Sequence, residues 1–113
     1  MTAASYIPNR GDLVWLDFSP QVGREQAGRR PALVLSREGY NRPSGLALFC
    51  PVTSRRKGYP FEVAIPEGLP VTGVVLADQV RSLDWTGRNI VRIATADECL
   101  VAEVGARVEA LLR

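Results

Sequence analysis

The residues best suited to chemistry lie in one charged loop, residues 23–31, whose sequence is GREQAGRRP. Glu25 and several arginines lie close together there, and glycines on both sides of the glutamate let the backbone bend. Pro31 then leads into the apolar run Ala-Leu-Val-Leu, which predicts a buried strand. Charged loops carried by a rigid strand are common binding and catalytic sites, whereas a solvated turn with incidental charges is the simpler alternative.

The sequence contains no histidine, and this absence narrows the chemistry. It excludes histidine-pair ribonuclease mechanisms, Ser-His-Asp and Cys-His nucleophiles, and histidine-ligated metals. Proton transfer would have to come from a carboxylate, a hydroxyl, water or an unusual arginine. Glu25, Arg30 and Thr53 are the candidates, because they lie at the ends of predicted elements. The other carboxylates, such as Asp12 and Asp78, show no two-metal spacing, so no metal site is predicted.

Positive charge is concentrated in one part of the chain. The net charge is only +2, yet residues 24–57 hold eight arginines and lysines against two glutamates. Thirteen of the fourteen basic residues are arginine, whose planar fork suits bidentate phosphate contacts. Clustered cations of this kind indicate a polyanionic partner on one face of the protein.

Seven short segments, each bounded by Gly, Pro, Asn or Ser, have the length and apolar pattern of strands. They are Asp12–Phe18, Pro31–Ser36, Leu46–Val52, Phe61–Ile65, Gly73–Ala77, Gln79–Trp85 and Ile90–Ala94. This spacing predicts a small β-barrel or sandwich. One helical turn is expected at residues 37–41, followed by a turn at residues 42–45, Arg-Pro-Ser-Gly.

The last part of the chain changes to helical periodicity. Residues 95–98 have the form of a capping box, with Thr95 as the N-cap and Glu98 reaching back. Beyond it, apolar residues recur along one helical face: Leu100, Val101, Val104, Val108, Leu111 and Leu112. We expect this amphipathic helix to pack on the strands.

At 113 residues, with 46% of the side chains hydrophobic, the chain is expected to form one domain over residues 1–113. No segment has the pattern of a signal peptide or approaches the roughly 18 apolar residues of a membrane span, so a cytoplasmic protein is expected. Cys50 in a predicted strand and Cys99 in the predicted helix are expected to be free, buried thiols. No cofactor is predicted.

Five short motifs follow one another between residues 11 and 82. They are G-D-L-V-W at 11–15, G-x-E-Q-x-G-x-R-P at 23–31, P-V-T-S at 51–54, K-G-Y-P-F-E at 57–62 and A-D-Q-V-R-S at 77–82. In order and spacing they resemble the MazF/PemK family of toxin endoribonucleases. The resemblance implies an SH3-like antiparallel β-barrel with a C-terminal helix, forming a homodimer whose groove holds single-stranded RNA.

The resemblance also implies an activity and a partner. Such toxins belong to type II toxin-antitoxin systems and cut mRNA at short sequences, typically without metal, leaving a 2′,3′-cyclic phosphate and a 5′-hydroxyl. Their antitoxin, of the MazE type, is expected to place an acidic tail in the RNA groove.

By motif position, Arg30 and Thr53 match the catalytic arginine and threonine of the family, and Glu25 matches the glutamate of its loop. A guanidinium with a pKa above about 12 rarely gives up its proton, so we expect Arg30 to stabilise charge and Thr53 to donate a hydrogen bond. Glu25 is expected either to accept the proton of the 2′-hydroxyl or only to orient Arg30 through a salt bridge.

Further substrate contacts are expected from residues in or beside the motifs: Gln26, Arg29, Ser54, Arg55, Lys57, Gln79 and Arg81. Gln79 and Arg81 are expected on one face of a strand by period-two alternation. The basic turn at residues 55–57 either follows phosphates or is a solvated hairpin tip. Trp15, Phe18 and Trp85 could each stack on a base, but core packing is expected for Trp15.

Two other functions remain open at this stage. The same toxin fold serves CcdB-type proteins that bind DNA gyrase, and a fold does not fix its chemistry. A non-catalytic RNA-binding barrel is the other alternative. The set of Glu25, Arg30 and Thr53, together with the basic stretch, favours the nuclease.

Overall fold

The computed structural model describes residues 6–19, 23–24 and 26–113. Within these residues, seven strands form an antiparallel sheet: β1 (Asp12–Asp17), β2 (Arg29–Val34), β3 (Leu46–Thr53), β4 (Glu62–Ala64), β5 (Val74–Leu76), β6 (Arg81–Asp84) and β7 (Val91–Thr95). Helix α1 (Glu38–Ser44) follows β2, and helix α2 (Glu98–Ala110) follows β7. Short 3-10 turns at Ala77–Gln79 and Trp85–Gly87 flank β6.

The predicted mainly β fold with a C-terminal helix is confirmed, but the sheet does not close into a barrel. Its strand order is β4-β5-β3-β2-β1-β7, and β6 pairs with β3 outside this path. Two strands share the edge of β3 that does not pair with β2: β5 pairs with Val52 and Thr53, and β6 pairs with residues 46–49. Within the described residues the sheet therefore branches at β3 and ends at β4, β6 and β7.

The three central strands β1, β2 and β3 are packed on both faces. On one face, Val14, Leu16 and Phe18 pack with residues of the other strands and of the second 3-10 turn, including Phe49, Leu83 and Trp85. On the opposite face a second core joins these strands to β4, β5 and α2 through Leu13, Leu33, Cys50, Val52, Leu100, Val101 and Val104. This two-sided packing holds the strand ends in fixed positions.

Helix α1 continues through Pro43, so the prediction of a turn at residues 42–45 is wrong. Pro43 has no N–H to donate to the carbonyl oxygen of Gly39, so the helix lacks one i→i−4 hydrogen bond just before it ends. Gly45 closes the helix with φ 72°, and its N–H donates to the carbonyl oxygen of Asn41 at 3.0 Å. The side chain of the buried Asn41 donates to the carbonyl oxygens of Pro8 and Ser36, and thereby joins α1 to two chain segments.

Helix α2 begins two residues later than predicted. Its N-cap is Asp97, whose Oδ1 accepts a hydrogen bond from the N–H of Leu100 at 2.9 Å. Thr95 is the last residue of β7, where it pairs with Asp12, so it is not free to start the helix. Glu98 does not reach back, because its carboxylate accepts two hydrogen bonds from Arg10.

The exposed side of α2 corrects two further expectations. Cys50 is buried as predicted, but Cys99 is exposed, because it lies off the apolar stripe of the helix. The stripe itself is buried at Leu100, Val101 and Val104, whereas Leu112 lies beyond the helix end and is exposed. In the described residues, no helix is long and apolar enough to cross a bilayer.

Candidate functional site

A cleft of about 1000 Å³ opens beside the ends of β1, β2 and β3. Its described lining carries five cationic side chains and two carboxylates: Arg24, Arg29, Arg30, Arg55 and Lys57, with Glu62 and Asp78. The basic stretch found in the sequence is thus partly gathered in one cavity. The excess of positive charge makes the cleft attractive to a polyanion.

Arg30 is fixed in the cleft by its own strand surroundings. Its Nε donates to the carbonyl oxygen of Ala27 at 2.9 Å, and its Nη1 lies 3.4 Å from the carbonyl oxygen of Val52. Burial lowers the pKa of the Arg30 guanidinium, but arginine starts from so high a value that the group stays charged at neutral pH. Arg30 is therefore a positively charged side chain that two backbone carbonyl groups hold in position at an open cavity.

Thr53 ends β3 on the same side of the molecule and lines the same cleft. Its Oγ1 accepts a hydrogen bond from the N–H of Arg55 at 3.1 Å, so the hydroxyl proton is available to donate. Strands β2 and β3 pair Ala32 with Pro51, and continuing this antiparallel register by two residues places Arg30 opposite Thr53. The sequence therefore brings a guanidinium and a hydroxyl from two strands to one cavity.

Gly73 supports the position of Thr53 from behind. A Cβ atom on Gly73 would lie 2.3 Å from the carbonyl oxygen of Thr53, and the φ angle of Gly73 is +116°. Glycine is the residue that satisfies both conditions, because it lacks a Cβ and adopts positive φ readily. This close approach sets the end of β3 against the 66–73 loop.

Gln79 holds the charged loop rather than extending a strand. It ends the 3-10 turn Ala77–Gln79, and its Oε1 accepts a hydrogen bond from the N–H of Gln26 at 2.9 Å. The prediction that Gln79 and Arg81 share one face of a strand is wrong, because the 3-10 turn interrupts the alternation. Arg81 begins β6 and points its Nη1 toward the carbonyl oxygen of Phe18, 3.5 Å away, and it is not among the residues that line the cleft.

Most of the other predicted contact residues lie in the cleft. Gln26, Arg29, Ser54, Arg55, Lys57 and Gln79 all line it. Arg29 also donates to the carbonyl oxygen of Asn89 at 2.6 Å, which ties the start of β2 to the turn before β7. Glu25 lies outside the described residues, so its role stays a prediction.

Trp15 is the clearest residue that sequence reasoning placed wrongly. It is 40% exposed and lines the cleft, whereas Phe18 and Trp85 are in the core. Trp15 shares a strand face with Leu13, which is buried under α2, but the helix cover ends before Trp15 is reached. Cross-strand neighbours of Trp15 are Pro31 and Val91, and neither covers the ring completely.

Tyr59 and Glu62 also line the cleft and were not singled out, although both belong to the K-G-Y-P-F-E motif. The ammonium group of Lys57 lies 5.9 Å from the centre of the Tyr59 ring. Asp78, another lining residue, acts on the buried Cys50: burial first, and the nearby Asp78 charge second, raise the pKa of that thiol to about 12. Cys50 is therefore an unreactive core residue.

The cleft chemistry is that of an oxyanion site. Guanidinium groups and a hydroxyl donate hydrogen bonds to phosphate oxygens, and an exposed aromatic ring offers a stacking surface. In the part of the chain that the structure describes, no group of three or more Cys, Asp or Glu side chains is arranged to hold a metal ion.

Comparison with known proteins gives consistent results. The chain resembles the crystal structure of MazF from Deinococcus radiodurans with a TM-score of 0.93 and 56% identity, covering 96% of this chain and 98% of that one. A MazE–MazF structure from the same organism matches with a TM-score of 0.84 and 52% identity, over 96% and 97% of the two chains. Endoribonuclease toxin MazF of Escherichia coli K12 is 44% identical over 95% of this chain and 96% of its own length.

The family profile described as PemK-like, MazF-like toxin of type II toxin-antitoxin systems matches residues 9–112, which is nearly the whole chain. The motifs that suggested this relationship lie within that span, and three of them contribute Arg30, Thr53 and Gln79 to the cleft. The chain belongs to the PemK-like, MazF-like toxin family.

Proposed function

We propose that this protein is an endoribonuclease toxin that cleaves single-stranded mRNA in the cationic cleft. The observation that supports the proposal is that Arg30 and Thr53 lie on paired strands and line one cavity. Most of the charged residues in the described lining of this cavity are basic. The relatives named as endoribonucleases support the reaction class, since the chain is 44% identical to one of them.

The reaction that fits this donor set is attack of the 2′-hydroxyl on the adjacent phosphorus. The P–O2′ bond forms, the P–O5′ bond breaks, and the products are a 2′,3′-cyclic phosphate and a 5′-hydroxyl. Negative charge builds on the non-bridging oxygens, where Arg30 and the Thr53 hydroxyl donate hydrogen bonds. Because Arg30 is already held by the carbonyl oxygens of Ala27 and Val52, little reorganisation is needed when the charge develops.

The reaction requires two proton transfers. The 2′-hydroxyl must lose a proton, and the leaving 5′-oxygen must gain one, which water in the open cleft supplies. Arg30 is not the base, because a guanidinium with even a lowered pKa remains protonated at neutral pH. Glu25 either takes the proton directly or orients Arg30, in which case water or a phosphate oxygen carries the proton. We propose that no metal ion takes part, since Arg30 supplies the positive charge at the phosphate.

The charge of the cleft also fits the proposed partners. The described lining has five cations against two carboxylates, and this excess favours binding of an RNA backbone. It favours binding of an acidic peptide equally. Solved structures of MazE–MazF complexes from Deinococcus radiodurans support an antitoxin tail as the second ligand. We further propose that the chain is a single domain, acts as a homodimer, and works in the cytoplasm.

The two alternative functions are not favoured. A CcdB-like protein that binds gyrase needs no arginine directed at a phosphate. A passive RNA-binding barrel needs no threonine hydroxyl close to such an arginine. The match to a family of endoribonuclease toxins over residues 9–112 points the same way.

The test is cleavage of a long transcript in the presence of EDTA, with both new ends mapped chemically. We expect cuts at defined sites with cyclic phosphate and 5′-hydroxyl ends, and no cutting where the 2′-hydroxyl is replaced by hydrogen. Arg30→Ala should lower the rate by at least about 100-fold, as loss of a preorganised charge donor does. Arg37→Ala is the matched control, because Arg37 is exposed and outside the cleft lining.

Each result has a distinct meaning. Cleavage of the 2′-deoxy substrate would refute the cyclising mechanism, and dependence on added metal would refute the proposed role of Arg30 as the main charge. Intact RNA together with trapped, cleaved DNA would support a gyrase poison instead. Retarded but uncut RNA would support the passive binder.

A further inference from the structure

One wall of the cleft is a loop whose middle is held by a carboxylate. Residues 54–61 connect β3 to β4, and this loop includes Ser54, Arg55, Lys57 and Tyr59, all of which line the cleft. The chain has no regular secondary structure between Arg55 and Tyr59. Basic loops without regular structure repel their own charges and sample many conformations unless another group holds them.

Glu62, the first residue of β4, is the group that holds this loop. Its Oε2 accepts a hydrogen bond from the N–H of Lys57 at 2.9 Å, and its Oε1 accepts one from the N–H of Gly58 at 3.0 Å. Gly58 has φ +81°, a backbone conformation that favours glycine. The N–H groups of Lys57 and Gly58 both donate to the same carboxylate. Hydrogen bonds from backbone N–H groups to an ionised carboxylate are among the stronger ones in proteins.

The loop has a second tether at its other end. Arg107 on α2 donates a hydrogen bond to the carbonyl oxygen of Pro60, and the N–H of Glu62 donates to the carbonyl oxygen of Tyr59 at 3.1 Å. Between these attachments, the Lys57 ammonium group lies 5.9 Å from the centre of the exposed Tyr59 ring. The loop therefore presents a cation and an aromatic face in a defined arrangement before any ligand arrives.

We propose that Glu62 is a positioning residue that orders the 54–61 loop for RNA binding. This inference rests on the proposed function, because it assigns Lys57 and Tyr59 to the phosphate and the base of a bound strand. Glu62 itself touches neither the reacting atoms nor, in this assignment, the RNA. It lowers the conformational cost of binding by fixing two side chains in advance.

The proposal predicts an effect opposite in sign to simple electrostatics. A carboxylate in a cationic cleft repels RNA, so neutralising it should strengthen binding if charge is all that matters. If Glu62 orders the loop, neutralising it should weaken binding instead. Glu62→Gln keeps the size of the side chain and one acceptor oxygen, but it removes the negative charge and the second acceptor, so the hydrogen bonds from Lys57 and Gly58 become weaker.

The experiment compares the wild type, Glu62→Gln and Glu67→Gln. Glu67 is an exposed loop glutamate outside the cleft lining, so its substitution makes the same change in net charge. Binding is measured with an oligonucleotide of the mapped cleavage sequence carrying a 2′-deoxyribose at the cut site. Cleavage of the all-ribose oligonucleotide gives KM and kcat, and amide hydrogen exchange of Lys57 and Gly58 is followed by NMR without RNA.

For Glu62→Gln we expect faster exchange of both amides, binding weakened at least about five-fold, KM raised, and kcat nearly unchanged. Glu67→Gln should match the wild type in all of these. Unchanged or tighter binding by Glu62→Gln overturns the proposal, and so does unchanged amide exchange. If the wild-type protein neither binds nor cuts RNA, the proposed function has failed, while the exchange rates still decide whether Glu62 holds the loop.

Discussion

The side-chain oxygen of Gln79 accepts a hydrogen bond from the backbone N–H of Gln26 at 2.9 Å, which joins two motifs that are 53 residues apart in the chain. Gln26 belongs to the charged loop that leads to Arg30, and Gln79 ends the 3-10 turn that precedes β6. The contact thus connects one wall of the cleft to the loop that carries the candidate catalytic residues. Gln79 therefore holds this loop within the protein, in addition to the substrate contact predicted for it.

Substituting Gln79 should loosen this loop. Gln79→Met removes the acceptor at similar length, whereas Gln79→Glu keeps an acceptor oxygen in place. In the free protein we expect the Gln26 amide to exchange faster in Gln79→Met and to remain protected in Gln79→Glu, as measured by NMR. Equal protection of Gln26 in both variants would mean that the contact does not hold the loop.

Gly73 should be required for the position of Thr53. In Gly73→Ala the new Cβ would meet the Thr53 carbonyl oxygen at 2.3 Å, so the end of β3 has to move. Gly68→Ala is the control, because Gly68 has φ +101° but nothing within 4 Å of the added atom. We expect Gly68→Ala to cost about 1–3 kcal/mol of unfolding free energy from backbone strain alone, with cleavage kept.

Gly73→Ala should cost at least as much stability and also lose RNA cleavage at temperatures where the protein is still folded. Denaturant unfolding and cleavage rates at a temperature well below the unfolding midpoint check this. A folded Gly73→Ala variant with wild-type activity would show that Thr53 tolerates displacement.

Trp15 should report RNA binding through its fluorescence. Its ring is 40% exposed in the cleft, while Trp85 is 8% exposed and donates its indole N–H to the carbonyl oxygen of Asn41. A 2′-deoxy-blocked oligonucleotide should therefore quench the wild-type protein, and Trp15→Phe, which retains Trp85, should show no quenching. Quenching of equal size in Trp15→Phe would place the bound strand elsewhere.

The ion pair between Arg10 and Glu98 should make part of the stability depend on pH. Hydrogen bonds from Arg10, the largest cause, hold the pKa of Glu98 below its ordinary value; desolvation opposes them, and the charges of Arg10 and Arg37 act with them. A carboxyl whose folded pKa is depressed stabilises the fold above its unfolded pKa, about 4.3, and loses that contribution as pH falls through the folded value.

Glu98→Gln should accordingly be less stable than the wild type near neutral pH, and the two should converge in acid. Denaturant unfolding between about pH 7 and pH 2 measures the difference, with Glu67→Gln as the control for the change in charge. A constant difference at all pH values would mean that the ionised pair contributes nothing.

Much of the fold could be predicted, because short strands have a recognisable pattern in the local sequence. All seven predicted strands are present, with ends that shift by a few residues, since alternation and flanking glycines or prolines are properties of the local sequence. The start of α2 was missed because Thr95 and Asp97 are both acceptable N-caps, and the choice depends on the pairing of Thr95 with Asp12. The pairing of both β5 and β6 with β3 depends on distant segments, so no local pattern reveals it.

Charge clustering and motifs in the sequence could predict which residues belong to the candidate site. They could not predict which side chains other elements would leave exposed. Arg30 and Thr53 reach one cleft because their strands pair. The local sequence does not give this pairing, so only the family resemblance could predict that the two residues meet. The exposure of Trp15 depends on where α2 stops covering the sheet, which is a tertiary fact. The hydrogen bonds of Gln79 and Glu62 link distant residues, so their positioning roles required coordinates.

The double-sided packing of β1, β2 and β3 sets where this protein can change during evolution. Most interior positions of these strands fill one of two separate cores, so a new side chain there disturbs the fold before it alters recognition. Freedom to vary is left at the strand ends and in the loops beyond them, where side chains emerge into the cleft. Members of this family are therefore expected to differ chiefly at these strand ends and loops, over an almost unchanging framework.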